Sequence, residues 1–207
     1  MPDLFWRQAA QAGCSVAGLT SLEHLRRTRN RSQHMTRLSV FIASSLDGYI
    51  ATIDDKLDFL DEAVVEGEDY GYHSFIADVD ALAMGRGTYD FIAGIDPLPF
   101  EDRQVYVFTS RPPQPRPGVE FVQWTPAEAL AHWNERGLGH VYVDGGNLIS
   151  SFLAAGLIDD MLLTTAPVLL GNGRPLFNPI ESSSKWKLDD VQQFPSGMVN
   201  RRYSRTG

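Results

Sequence analysis

The chain has 207 residues, 43% of them hydrophobic and 11% aromatic, so it can bury one sizeable core and a single globular domain is expected. Its formal net charge of -8 disfavours nucleic acid as a partner, and no stretch reaches the roughly 18 apolar residues that a membrane helix needs. The only cysteine, Cys14, excludes an intrachain disulfide and fits a reducing, cytoplasmic compartment.

Residues 1–34 form a compositional zone of their own. Arg7, Arg26, Arg27, Arg29 and Arg31 stand against Asp3 and Glu23, which gives this stretch +3 and leaves -11 for the remainder. It reads as an N-terminal extension, disordered or carrying a short helix through Leu19, Leu22 and Leu25, with the folded domain spanning 35–207.

From Met35 onward, short apolar strands alternate with helix signals, the rhythm of an α/β domain. Leu38 to Ala43 reads as a buried strand, Ser44 to Gly48 as a turn and Tyr49 to Ala51 as a second strand. An acidic, solvated stretch follows as far as Asp69, interrupted by Leu57, Phe59 and Leu60, and then a helix over Tyr70 to Ala77. Ala81 to Met84 is a strand leading to a helix that begins at Thr88. Asp96 to Asp102 is loop, and Val105 to Thr109 and Val119 to Gln123 are strands. Thr125, Pro126 and Glu128 spell a helix start with a side-chain cap, proline in the first turn and a capping-box glutamate. Val141 to Asp144 is a strand before a helix with Leu148, Ile149, Phe152 and Leu153 at helical spacing, ended by Gly156. Met161 to Leu170 reads as a long strand, and Trp186 to Phe194 with Met198 to Ser204 as a closing hairpin.

Three of these strand ends deliver glycines, hydroxyls or arginines into the next loop, the usual means of holding a dinucleotide. In Met84-Gly85-Arg86-Gly87-Thr88 the glycines let backbone approach phosphate, Arg86 can pair with an anion, and Thr88 can cap a helix or donate to phosphate oxygen. Thr109-Ser110-Arg111 suits the 2'-phosphate that separates NADPH from NADH. Asp144-Gly145-Gly146-Asn147 opens a helix. Each alone also reads as a tight turn, a polar strand end or a helix entry; their repetition after apolar strands favours a cofactor site. Gly171-Asn172-Gly173-Arg174-Pro175 lacks the third glycine of a Rossmann fingerprint and reads as a turn.

Together with Ser45-Leu46-Asp47-Gly48-Tyr49-Ile50-Ala51, Gly156-Leu157-Ile158-Asp159-Asp160 and Ala166 to Gly173, these blocks resemble the reductase domain of the bifunctional deaminase-reductase proteins of riboflavin biosynthesis, in stand-alone form. The resemblance implies a dihydrofolate reductase-like fold, a mainly parallel twisted sheet of about eight strands flanked by helices with an antiparallel C-terminal strand. It implies NADPH, hydride transfer to a pterin-like or ribosylaminopyrimidine-like small molecule, and a homodimer. By motif, Gly85, Arg86 and Thr88 would meet phosphates, and Thr109, Ser110 and Arg111 the 2'-phosphate region. Gly145, Gly146, Asn147 and Leu148 would hold the pyrophosphate, while Ala43 and Ile50 would line the nicotinamide pocket.

Asp47, Tyr49 and Asp144 are the substrate-side candidates. Two of them depart from the family's usual pattern: Tyr49 stands where a lysine is common, and Asp144 where glutamate is. As proton donors only Asp47 and Asp58 are well placed in sequence, and each has a plainer reading, as a turn residue and a solvated acid. His73, His132 and His140 lack metal-ligand spacing, and no zinc deaminase signature is present, so no metal is expected. A true dihydrofolate reductase, a non-catalytic nucleotide-binding module and an assembly protein of the same fold are the alternatives.

Overall fold

The computed structural model describes residues 35–206 apart from 66, 96, 97 and 101; the reading of residues 1–34 and part of the 96–102 loop fall outside the described residues. Eight strands form one sheet in the order β5-β4-β3-β6-β1-β7-β10-β9. They are β1 (Arg37–Ser44), β3 (Ala81–Gly85), β4 (Gln104–Phe108), β5 (Val119–Val122), β6 (His140–Asp144), β7 (Asp160–Thr165), β9 (Trp186–Gln193) and β10 (Val199–Arg205). The run from β5 to β7 is parallel, while β10 pairs antiparallel with both β7 and β9. Seven strands therefore share one direction and β10 opposes them, the architecture that the family resemblance implies. A separate two-stranded ribbon joins β2 (Tyr49–Ala51) to β8 (Arg174–Pro175).

The central strands are mostly apolar because helices cover both faces of the sheet. On one face Leu38, Val40, Ala83, Val141 and Val143 pack under α4 (Pro126–Glu135) and α5 (Gly146–Ala154), through Trp133, Ile149 and Phe152. On the other, Phe41, Leu82, Met84, Val107 and Tyr142 meet α2 (Tyr72–Ile76) and α3 (Arg86–Ile92), through Tyr72, Phe75 and Ile92. The chain leaves β1 on the α2 face to reach β3, then returns on the α4 face to insert β6 between them. This reversal opens a crevice at the carboxyl ends of β1, β3 and β6, the place where open α/β sheets bind ligands.

The start of α4 matches its sequence signals. The Glu128 N–H donates to Thr125 Oγ1 at 3.3 Å, and the Thr125 N–H donates to Glu128 Oε2 at 2.7 Å. At the end of α5, Gly156 takes φ +69°, and a Cβ there would meet Arg205 Nη2 at 2.8 Å. The left-handed backbone calls for glycine.

Four elements differ from the sequence reading. The acidic stretch contains a short helix, α1 (Asp58–Asp61), whose Phe59 and Leu60 are buried against Ala43, Phe194 and Met198. The predicted 70–77 helix begins only at Tyr72, because Tyr70 and Gly71 take φ +52° and +83°. The Asn200 Nδ2 group holds this turn by donating to the Tyr70 carbonyl at 2.6 Å. α3 starts at Arg86, two residues before Thr88, with extended Gly85 at its N-cap. β7 stops at Thr165, since Pro167 has no N–H for a ladder, although Ala166 still donates to Ser44 O and Leu46 to Val168 O, both at 2.8 Å.

Candidate active site

The phosphate-motif loops converge at the carboxyl ends of the parallel strands. A Cβ on Gly145 would lie 2.7 Å from Thr88 Oγ1, so the β6 loop passes against the first turn of α3 with room only for glycine. Gly145 also takes φ +93°, a conformation that side chains resist. A Cβ on Gly146 would come within 2.5 Å of the Pro175 carbonyl and 3.2 Å of Ile50 Cδ1, which ties β6 to the β2–β8 ribbon. The N–H groups of Gly146, Asn147 and Leu148 open α5 and have no intrahelical acceptor, an arrangement that suits an anion. The Leu148 side chain is buried in the core, and Asn147 is exposed with its Oδ1 accepting from Asn178 Nδ2 at 2.7 Å.

Arg86 links the first loop to the second. Its Nε donates to Asp90 Oδ1 at 2.7 Å and its Nη1 to the Arg111 carbonyl. The Arg111 N–H donates to Thr109 Oγ1 at 3.1 Å, so the 109–111 turn is fixed while the Ser110 and Arg111 side chains stay exposed. The structure thus brings Gly85, Arg86, Thr88, Arg111, Gly145, Gly146 and Ile50 around one crevice, with the Ala43 side chain buried at the end of β1. Glycine backbones held against neighbouring carbonyls and hydroxyls, free helical N–H groups and the exposed Arg111 guanidinium fit a dinucleotide's phosphates.

The acidic candidates occupy three different settings. Asp47 is a staple: Ser45 Oγ donates to its Oδ1 at 2.6 Å, the Leu170 N–H to Oδ1 at 3.1 Å and the Gly171 N–H to Oδ2 at 2.7 Å. These donors, Ser45 foremost, hold its pKa below the usual carboxylate range. Asp58 is exposed in the first turn of α1. Asp144 is buried at 3% exposure, and burial raises its pKa to about 7 against the opposing hydrogen bond from the Gly145 N–H at 2.9 Å. A carboxyl that keeps its proton near neutrality beside these glycine loops can serve as an acid. Sequence reading ranked Asp144 only as a substrate contact; its position before the paired glycines was the available signal, but burial, the cause of the shift, cannot be read from the motif.

Tyr49 lies on the β2–β8 ribbon, where a Cβ on Gly173 would meet its Cβ at 3.2 Å. Gly171 to Gly173 therefore form the turn that receives Asp47 and Tyr49. Among the described residues no group of three or more His, Cys, Asp or Glu side chains could hold a metal ion, and no helix is long and apolar enough to cross a membrane.

Comparison with known proteins agrees with this architecture. A Shewanella sp. PV-4 protein named for riboflavin biosynthesis is 34% identical, with a TM-score of 0.77 over 83% of this chain and 100% of its own. The Thermotoga maritima diaminohydroxyphosphoribosylaminopyrimidine deaminase/5-amino-6-(5-phosphoribosylamino)uracil reductase, 19% identical, matches 83% of this chain with 57% of its own at a TM-score of 0.64. Dihydrofolate reductase from Enterococcus faecalis, solved with NADP(H), is 19% identical and superposes at a TM-score of 0.57 over 84% of this chain and 98% of its own. The fold is dihydrofolate reductase-like, and the model of the RibD C-terminal domain matches residues 36–200, so the chain belongs to that family.

Proposed function

We propose that the chain is a cytoplasmic, stand-alone NADPH-dependent reductase that acts on a small heterocycle, pterin-like or ribosylaminopyrimidine-like, as 5-amino-6-(5-phosphoribosylamino)uracil reductase does in riboflavin biosynthesis. The observation that carries this reading is the convergence of the loops after β3, β4 and β6, where Thr88 abuts Gly145 and Arg86 grips the Arg111 carbonyl. When bound, NADPH supplies the hydride that adds to a C=N or C=O carbon. The first turn of α5 and Arg86 would hold the bridging phosphates, and Arg111 with Thr109 and Ser110 the 2'-phosphate. Ala43 and Ile50 would exclude water beside the nicotinamide, and Asp144 would give its proton to the nitrogen or oxygen of the reduced bond.

Titration with NADPH and NADH, followed by oxidation assays on a panel of pterins and ribosylaminopyrimidines, tests this. NADPH is expected to bind more tightly than NADH and to be oxidised with at least one panel member. The absence of measurable binding by either dinucleotide would refute the proposal. A tight complex without turnover would favour the binding-module alternative.

The enzyme is further proposed to work as a homodimer through the face next to β9. There a pocket of about 370 Å³ is lined by Leu153, Leu163, Phe177, Ile180, Trp186 and Tyr203, among others. Phe177, Leu188 and Val191 are exposed, and β9 is an unpaired sheet edge. Light scattering should give twice the 23.0 kDa chain mass, with Val191→Asp shifting the population to monomer. A wild-type monomer at high protein concentration would exclude the dimer.

A further inference from the structure

The side chains of Tyr142 and Asp144 share the α2 face of β6, and both are buried, at 2% and 3% exposure. The Tyr142 hydroxyl donates to the Phe41 carbonyl of β1 at 2.7 Å, and the Asp144 carboxyl, two residues on, is its polar neighbour on the same face. A phenol has one proton, so it cannot donate to both acceptors at once. If Asp144 carries its proton, that proton can point to the Tyr142 oxygen while Tyr142 continues to the Phe41 carbonyl. If Asp144 is ionised, a buried carboxylate needs the phenol's proton more than a neutral carbonyl does.

We propose that Tyr142 is a positioning residue for the reduction, its hydroxyl turning from the Phe41 carbonyl to Asp144 whenever Asp144 gives up its proton. This rests on the proposed role of Asp144 as the acid. In that step the proton leaves Asp144 for the nitrogen or oxygen of the reduced bond, and hydride from NADPH completes the addition at carbon. The charge left behind is held by the Tyr142 hydroxyl and the Gly145 N–H until water returns a proton.

The other groups around the acid are accounted for by element. β1 and β3 contribute Phe41 and, in register with Asp144, Met84. α2 contributes Tyr72, whose ring stands edge-on to Phe41 at 5.5 Å and whose buried hydroxyl has no hydrogen-bond partner among the described residues. Asp102 and Arg103, at the turn into β4, act on Tyr72 with opposite signs. Tyr72 is therefore the rival donor for the ionised carboxylate.

Carbon-13 NMR of aspartate-labelled full-length protein, with Asp144→Asn identifying the resonance, reads the switch directly. Tyr142→Phe should move the Asp144 midpoint upward by about half to one pH unit, because the ionised form loses its donor. Tyr72→Phe should move it less. An unchanged or lowered midpoint in Tyr142→Phe, or a larger upward shift in Tyr72→Phe, would overturn the proposal. Should Tyr142→Phe fail to fold, the Tyr142 ring carbon bearing the hydroxyl must titrate with the Asp144 midpoint in the wild type and lose that step in Asp144→Asn; a ring signal blind to Asp144 would also overturn it. These readings need neither cofactor nor substrate. If Asp144→Asn kept full NADPH oxidation, the assignment of the acid would fail separately, whatever the NMR midpoints.

Discussion

Replacing Asp144 with Asn is expected to stabilise the folded chain in mild alkali while removing the acid from the crevice. The carboxyl titrates at about 7 in the fold, against 3.8 for the ordinary side chain, because burial penalises its charged form. The folded state thus binds the proton more tightly than the unfolded state, so the stabilising contribution is complete below 3.8 and is lost as pH rises through about 7. At full ionisation the difference amounts to about 4 kcal/mol. Asn keeps the shape and an oxygen for the Gly145 N–H but carries no charge to bury. Melting curves should therefore coincide for the two proteins in acid and separate by roughly 10 °C above neutral pH, with the variant higher. Substrate-dependent NADPH oxidation should fall about 100-fold, within the range for loss of a general acid. A stability difference that did not grow with pH would mean that Asp144 is ionised without cost. Higher stability with lower activity is the signature of a strained functional group, whereas a structural carboxylate would lose both.

Much of the fold was legible in the sequence because capping chemistry and strand patterning are local. The Thr125-Pro126-Glu128 signature needs only three side chains and a turn of helix, and it forms as read. The runs Leu38 to Ala43 and Val141 to Val143 are apolar apart from Ser39 because both faces of a parallel sheet are covered, and they lie side by side at its centre. Other features depended on partners far along the chain. Asp47 looks like a free acid or a turn residue until Leu170 and Gly171, more than 120 positions away, bring their N–H groups to it. The buried helix at Asp58–Asp61 was masked by its acidic neighbours, since Phe59 and Leu60 gain their burial from Phe194 and Met198 of the closing hairpin. Helix starts shifted for the same reason: Tyr70 and Gly71 are held left-handed by Asn200, which no local pattern announces.

Arg111→Ala should weaken NADPH binding about 10- to 100-fold and leave NADH nearly unchanged, since a guanidinium–phosphate pair contributes about 1.5–3 kcal/mol. Arg111 suits this role because its backbone is fixed and its side chain is not. Thr109 Oγ1 accepts its N–H at 3.1 Å and Arg86 holds its carbonyl, while the exposed guanidinium makes no ion pair with another of the described residues. Arg86→Ala should act differently. Losing Arg86 removes a charge near the bridging phosphates and frees the 109–111 turn, so both dinucleotides should bind less well and the preference between them should narrow only partly. Arg111→Lys should recover some affinity through charge but not all of it, because an ammonium cannot make the planar two-point contact. Salt provides an independent check. Added salt should weaken NADPH more than NADH in the wild type, and that difference should vanish in Arg111→Ala. Isothermal titration of the four proteins with both dinucleotides at two ionic strengths decides the matter. Equal losses for NADPH and NADH in Arg111→Ala would remove the 2'-phosphate from this strand end, and with it the physical basis for a preference between the two cofactors.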